Sequence, residues 1–449
     1  MADLIGDEGR PTETLPASIR NPLASCSRAG LILVFFTLLF FSLSKVPGIQ
    51  PDFHIAFSAH WREMIFTPVC LTIVIGAAFV FARFSFGYMA GYYLFAMMAG
   101  FFWLNAFSIF PYDHRTALIS AAASMILFLI PSLAIGQRSW SIPLPRSVFN
   151  RLPDGILAFS VIILVVSAQA GFRLVGLEGM PQYRSSLVHP RIIEYAIGNI
   201  NGALIPFAFA CFVARKRWIM LAATIAVSLL YYPVTLTKTS LFNAPFLIGM
   251  AILSWRLEAR ICVIVSLLIP LGVGLWGVAG LDPIDMPRIP LILFSLLDFR
   301  LFAIPASALD HYYAFFANHP LTYFCQISAI KPLLSCPYSD QLGVVMANQY
   351  HLGNMNASMF ATEGVASVGL MLAPIVALAC GLLIAIANKT SAGLPQSFVL
   401  ISGAVIPHLL LNVPLSTALL SNGLGLLMLL WCLTPRGLSG APGTALGRV

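Results

Sequence analysis

Apolar runs about as long as a bilayer is thick recur twelve times along this chain, and no other feature limits its folding so strongly. A helix rises about 1.5 Å per residue against about 30 Å of hydrocarbon, so about 20 apolar residues suffice to cross. The runs are Ala29 to Val46, Met64 to Ala82, Phe86 to Phe110, Ala117 to Ile135, Gly155 to Gly171 and Ile192 to Val213. They continue as Trp218 to Val234, Ser240 to Trp255, Ile261 to Leu281, Gly364 to Ala387, Ser397 to Leu411 and Pro414 to Leu433. In lipid every backbone polar group must be paired inside the protein, and uninterrupted runs of this length meet that condition as helices. The expected fold class is therefore all-α, a polytopic integral membrane protein of about 12 transmembrane helices with one long extracytoplasmic loop. The polar TLTKTS segment between Trp218 to Val234 and Ser240 to Trp255 leaves a single broken hairpin open there, so the count runs from 10 to 12.

Composition agrees. Of 449 residues, 59% are hydrophobic and 9% charged, whereas a soluble surface needs roughly a quarter of residues charged. The net charge of +8 is spread between apolar runs rather than gathered in a patch, which points to membrane topology and gives no reason to expect nucleic acid. Residues 1–28 are polar and show no small-residue cleavage site after the first apolar run, so the first span is expected to be retained.

With the N-terminus inside and each span crossing once, 15 Arg and Lys fall on the inside and 7 in short outside loops, with three more in the long loop. That bias places both termini in the cytoplasm. The expected organisation is a cytoplasmic tail (1–28), a bundle of about nine helices (29–281), a long extracytoplasmic loop with an interfacial or re-entrant helix (282–363), about three more helices (364–433) and a cytoplasmic tail (434–449). Within the loop, IPLILFSLLDFRLFAI is interrupted by Asp298 and Arg300, which favours an interfacial or re-entrant element over a crossing. Pro305 is expected to end or kink it.

Eight cysteines form no CxxC or Cys/His metal spacing. Cys325 and Cys336 share the polar loop, where an oxidising compartment would permit a disulfide. The other six lie in or beside apolar runs as packing residues.

The outer face gathers charge. Arg173, Arg184, His189, Arg191 and Glu194 precede one span, and Arg288, Asp298, Arg300, Asp310 and His311 occupy the long loop. A charge at a helix centre costs roughly 2.5 to 3.5 kcal/mol on insertion scales, and Arg forks match pairs of phosphate oxygens. Interfacial Arg also commonly snorkels to lipid headgroups, and Arg300, which breaks an apolar segment instead of flanking a span, fits that explanation least. His311 follows Asp310 and precedes Tyr312 and Tyr313, a base, an orienting carboxylate and aromatic faces suited to a sugar ring; an interfacial histidine without a catalytic task is the plainer reading. Asn354, Asn356 and Glu363 stand before a later span, where amides and a carboxylate suit sugar hydroxyls and the two Asn equally suit a helix cap. Gly364 and Gly369 there permit close helix approach.

No Walker loop or GxGxxG occurs, so nucleotide-driven pumping has no support. The first outside loop, KVPGIQPDFHIAFSAHWRE, carries no Asp-x-Asp pair, and Asp282 with Asp285 is the nearest acidic pair in the long loop. No metal and no cofactor is expected.

The order of these features resembles the O-antigen polymerase family, which is related to the O-antigen ligases. The resemblance rests on TLTKTSLFNAPFLIGMAIL, on DFRLFAIPASALDHYYAFF and on NMNASMFATEGVASVGL. It implies a metal-independent glycosyltransferase in the bacterial plasma membrane that joins undecaprenyl-pyrophosphate-linked repeat units on the outer side. His311, Asp310 and Glu363 would be catalytic. Substrate binding would fall to Arg184, Arg191, Arg300, Arg288, Lys238, Tyr312, Tyr313, Asn354 and Asn356, with Lys238 standing where related chains often carry Arg. Partners would be the lipid-linked oligosaccharide, membrane lipid, and a chain-length regulator and flippase of the same pathway. Ligase-type transfer, a lipid or glycan transporter and a membrane acyltransferase using His311 are the alternatives.

Overall fold

The computed structural model describes residues 22–57, 60–136, 139–176, 179–184, 187, 189–276, 278, 287–327 and 330–437, except for the side chains at 22–25, 181 and 184. The Asp282 and Asp285 pair, the Arg184 side chain and both chain ends lie outside the described residues. Those residues are helical, with no strand among them beyond an isolated bridge between Ile55 and Ser108.

Among the described residues eight helices are long and apolar enough to cross a membrane. They are α1 (Cys26–Ile49), α2 (Trp61–Phe81), α4 (His114–Ala134), α5 (Arg146–Ala168), α6 (Arg191–Ala214), α7 (Trp218–Thr235), α10 (Arg288–Phe316) and α12 (Phe360–Ser391). Between them stand α3 (Phe86–Asn105), α8 (Lys238–Arg256), α9 (Ala259–Leu275) and the short α11 (Leu342–Tyr350). After them come α13 (Gln396–Ser402), α14 (Val405–Leu410), α15 (Leu415–Leu420) and α16 (Leu424–Leu433). The architecture is that of a helical membrane protein. At TLTKTS the chain breaks between α7 and α8, which join at Leu236 with φ +47°, the Thr237 hydroxyl accepting from the Ser240 amide. Their far tips meet again where Trp218 and Trp255 pack edge to face.

Contacts sort the bundle into two ends. At one, Arg28 at the start of α1 meets Glu258 before α9 at 3.6 Å, and Arg260 donates to the Ala82 carbonyl after α2. There too Arg217 pairs with Asp154 at 2.8 Å. The Asn388 amide ties this end together, accepting from the Gly87 amide at 2.6 Å and donating to the Ser132 and Ile135 carbonyls. One side chain thus joins the start of α3 to the finishing turns of α4 and α12. At the opposite end lie the α1–α2 and α3–α4 connections, Asp310 and the segment leading into α12.

Helix α3 is the axis. All twenty of its residues are buried, and its sequence FGYMAGYYLFAMMAGFFWLN mixes Gly, Ala and Tyr among the apolar residues. Small residues let neighbours approach, and a helix surrounded by protein needs no lipid-facing stripe. Helix α2 is the contrast, with Phe66, Val74 and Phe81 at 64 to 70% exposure facing outward.

Where an interrupted element is expected, α10 is a continuous helix of 29 residues. Pro305 does not end it. The turns from Ser295 to Ala303 are π-helical, and Pro305 sits in the first turn of the α segment that follows. A wide turn there tolerates the missing proline N–H. The same device recurs in α6, where Ile200–Leu204 is π-helical and Pro206 follows. Although α10 is long enough to cross, both its halves touch the Asp310 end of the bundle. Asp298 accepts from Ser42 near the end of α1, Ala306 packs at Gly100 near the end of α3, and Tyr313 stacks on Phe101.

Helix α12 bends at Gly369, whose φ of +75° and ψ of 176° suit only glycine. Gly369 therefore sets a backbone conformation rather than a close helix contact. The disulfide between Cys325 and Cys336 forms, with the Cα atoms 5.4 Å apart, and shortly before it the Thr322 amide donates to the Ala366 carbonyl at 2.8 Å.

Candidate functional site

Asp310 is buried at 1% exposure inside α10, yet its carboxylate is fully engaged. Ser108 donates to one oxygen at 2.8 Å and the Tyr112 hydroxyl donates to the other. Both donors come from the α3–α4 connection, which the antiparallel bridge holds against residues 54–56. Asn105 donates to the Tyr112 oxygen at 2.9 Å and lies 3.3 Å from His114 Nδ1. Burial, with the Asp310 carboxylate beside it, pushes the Tyr112 hydroxyl well above the usual phenol range, so it remains a donor.

His311 is fully buried in a cage of Phe53, Phe110 and Tyr350, whose rings lie 4.7 to 5.9 Å away. Its Nδ1 lies 2.7 Å from the Ser307 carbonyl. A carbonyl only accepts, so Nδ1 carries hydrogen and, in the neutral ring, the lone pair is on Nε2. Among the described residues Nε2 has no hydrogen-bond partner. Burial raises the neighbouring Tyr350 hydroxyl to about 12. His54 stacks on Phe110 at 4.6 Å, which completes a cluster of Asp310, His311, His54, His114, Tyr112 and Tyr350 at one end of the bundle. Its chemistry is that of a held carboxylate beside an imidazole with one basic nitrogen.

A cationic cluster stands at the same end. Lys238 opens α8 within electrostatic reach of the exposed Arg300. Around Lys238, the hydroxyls of Thr235, Thr237 and Ser240 bond one another at 2.8 to 3.2 Å. The preceding loop docks alongside: the Arg173 amide donates to the Pro233 carbonyl, His189 Nε2 lies 3.3 Å from the Val234 carbonyl, and the Arg173 guanidinium covers the Tyr183 ring. Phe299, next to Arg300, stacks on Phe53, the ring that also faces His311. The two clusters are thus linked through Phe53.

Other expected site residues are placed differently. Glu363 is 7% exposed and committed: one oxygen accepts from the Ser416 amide and hydroxyl, both at 2.9 Å, and the other from Thr362 at 2.7 Å. Since α15 starts after Pro414, which offers no side-chain oxygen, Glu363 supplies the cap from another helix. Tyr312 and Tyr313 are buried, and Phe101 and Tyr112 cover the Tyr313 ring, so neither offers a face to a sugar. Asn354 and Asn356 are exposed and aim their amide oxygens at Gly343 in α11. Arg191 and Arg288 are exposed at the first residues of α6 and α10.

Ser108, Tyr112 and His54 escape the sequence reading because they sit in two short loops, and His114 because it opens the helix that follows one of them, in the stretches SIFPYDHR and PDFH. Their density of hydroxyl and imidazole groups is the signal that marks them. Among the described residues no group of three or more His, Cys, Asp or Glu is arranged to hold a metal. No family model matches the chain, and no curated protein or solved structure matches it either.

Proposed function

We propose that this chain polymerises undecaprenyl-pyrophosphate-linked oligosaccharide repeat units into a surface polysaccharide at the outer face of a bacterial plasma membrane. The observation that carries the reading is that Lys238 and Arg300 stand at the same end of a membrane bundle as the buried Asp310 and His311, with Phe299, next to Arg300, stacked on the Phe53 ring that faces His311.

In this reading the Asp310 end is extracytoplasmic and both termini are cytoplasmic. Two arguments support that orientation. The opposite end carries Arg28, Arg83, Arg146, Arg151, Arg215, Lys216, Arg217, Arg256, Arg260, Lys389 and Arg436, against Lys45, Arg62, Arg115, Arg173, Arg191 and Lys238 in the short loops of the Asp310 end, the bias of cytoplasmic loops. The Cys325–Cys336 disulfide belongs to an oxidising compartment. With about 12 crossings, α10 then lies in the outer loop as an interfacial helix rather than as a crossing.

The bond between the donor's anomeric carbon and its pyrophosphate oxygen breaks as the acceptor hydroxyl oxygen bonds to that carbon. Lys238 and Arg300 stabilise the charge left on the pyrophosphate. His311 Nε2, closed in at rest by Phe53, Phe110 and Tyr350, takes the hydroxyl proton once the acceptor displaces that cage, with the ring held by the Ser307 carbonyl. Asp310, held by Tyr112 and Ser108, fixes the segment that carries His311 and serves as a positioning residue.

Deleting the gene in its host and comparing surface and lipid-linked glycans by gel is the test. Loss of the long-chain ladder while single units still reach the surface supports the polymerase. A ladder that forms but stays lipid-linked indicates ligase-type transfer, and an unchanged ladder overturns the proposal in favour of transport or acyl transfer.

A further inference from the structure

A groove of about 900 Å³ runs between α1 and α2. Its wall on α1 extends from Ala29 to Ser44, about 22 Å at about 1.5 Å per residue. Small residues on α2, Thr72, Gly76 and Ala77, form its floor, and Phe36 and Phe40 flank it. Its mouth at the Asp310 end is ringed by Phe57, Trp61 and Trp103.

Three features identify the occupant. The groove is longer than one leaflet of about 15 Å, half of the hydrocarbon thickness, so it suits a single chain that passes the midplane better than an acyl chain confined to one leaflet. The mouth is cationic: Lys45 lies over Phe41 and Arg62 over Trp61, both rings lining the groove, with Glu63 next to Arg62 in the first turn of α2. Lastly, the mouth is continuous with the acid and imidazole cluster. Phe57 packs on Phe107, and the Ala56 amide donates to the Phe107 carbonyl one residue before Ser108, which holds Asp310.

The geometry points to this groove as the site of the polyisoprenoid tail of the incoming, acceptor substrate, its phosphates on Lys45 and Arg62 and its sugar turned toward Asp310 and His311. The assignment rests on the polymerase reading, in which Lys238 and Arg300 hold the donor, and it makes two separate lipid sites on one chain.

The test uses the full-length protein in lipid nanodiscs and a polyprenyl phosphate carrying a diazirine in its tail, with labelled peptides mapped by mass spectrometry. Labelling is expected on α1 and α2 at the groove, competed by unlabelled polyprenyl phosphate and not by phosphatidylglycerol. Ala77→Trp, which fills the floor, is expected to lower it about tenfold, equivalent to about 1.4 kcal/mol. Should that variant misfold, the double variant Lys45→Ala with Arg62→Ala is expected to weaken competition by the phosphate probe. Displacement by phosphatidylglycerol as effective as by polyprenyl phosphate, or labelling indifferent to both variants, overturns the assignment. Groove labelling together with an unchanged ladder in the gene deletion would leave the lipid site standing and remove the polymerase; a lost ladder without groove labelling would do the reverse.

Discussion

Replacing Glu363 separates a structural carboxylate from a catalytic one. In Glu363→Ala the Ser416 amide loses its acceptor at the start of α15, where Pro414 cannot substitute. A stranded buried donor costs about 1 to 3 kcal/mol, and a hydrogen bond to a charged group contributes about 1.5 to 3. Thr362 keeps the Ser358 carbonyl at 3.0 Å, and the Ser416 hydroxyl, only half-buried, can turn elsewhere. The net loss is therefore about 2 to 4 kcal/mol. In Glu363→Gln the amide oxygen still accepts both Ser416 donors, while the amide nitrogen donates to Thr362, whose own hydrogen serves Ser358. That variant is expected within about 1 kcal/mol of wild type. The assay is denaturant-titrated unfolding of the purified protein, with the polysaccharide ladder measured on cells holding equal amounts of folded protein. A Glu363→Gln protein that folds normally yet makes no polymer would refute the capping account and return Glu363 to the chemistry. An alanine variant as stable as wild type would refute the energetics.

Arg300→Ala is expected to abolish polymer while leaving folded, inserted protein, and Lys238→Arg to retain it; a normal ladder in Arg300→Ala removes that residue from the site. His311→Gln is expected to stop polymerisation at unchanged expression, whereas Tyr112→Phe, which leaves one Asp310 oxygen without its donor, should destabilise by about 1 to 3 kcal/mol in the same unfolding assay. Gly369→Ala forces an L residue to φ +75° and should cost about 1 to 3 kcal/mol; no loss would show that the bend relaxes freely. Cys325 and Cys336 are expected to resist an impermeant maleimide in intact spheroplasts until a reductant is added, and labelling without reductant would remove the disulfide argument for the orientation.

Much of the membrane architecture is legible in the chain itself, because lipid imposes two demands that can be read one residue at a time: apolar length and complete backbone pairing. The candidate helices, the split of α7 from α8 at a polar segment and the chemical potential of Asp310, His311, Lys238 and Arg300 follow from residue type and spacing. Tertiary structure decided the rest, since burial and partners depend on contacts between distant segments. Only packing could bury Tyr312 and Tyr313, turn Glu363 into a cap for a helix fifty residues away, carry α10 past Pro305 on π-helical turns, and bring Ser108, Tyr112 and His54 from two unremarked loops around the imidazole of His311.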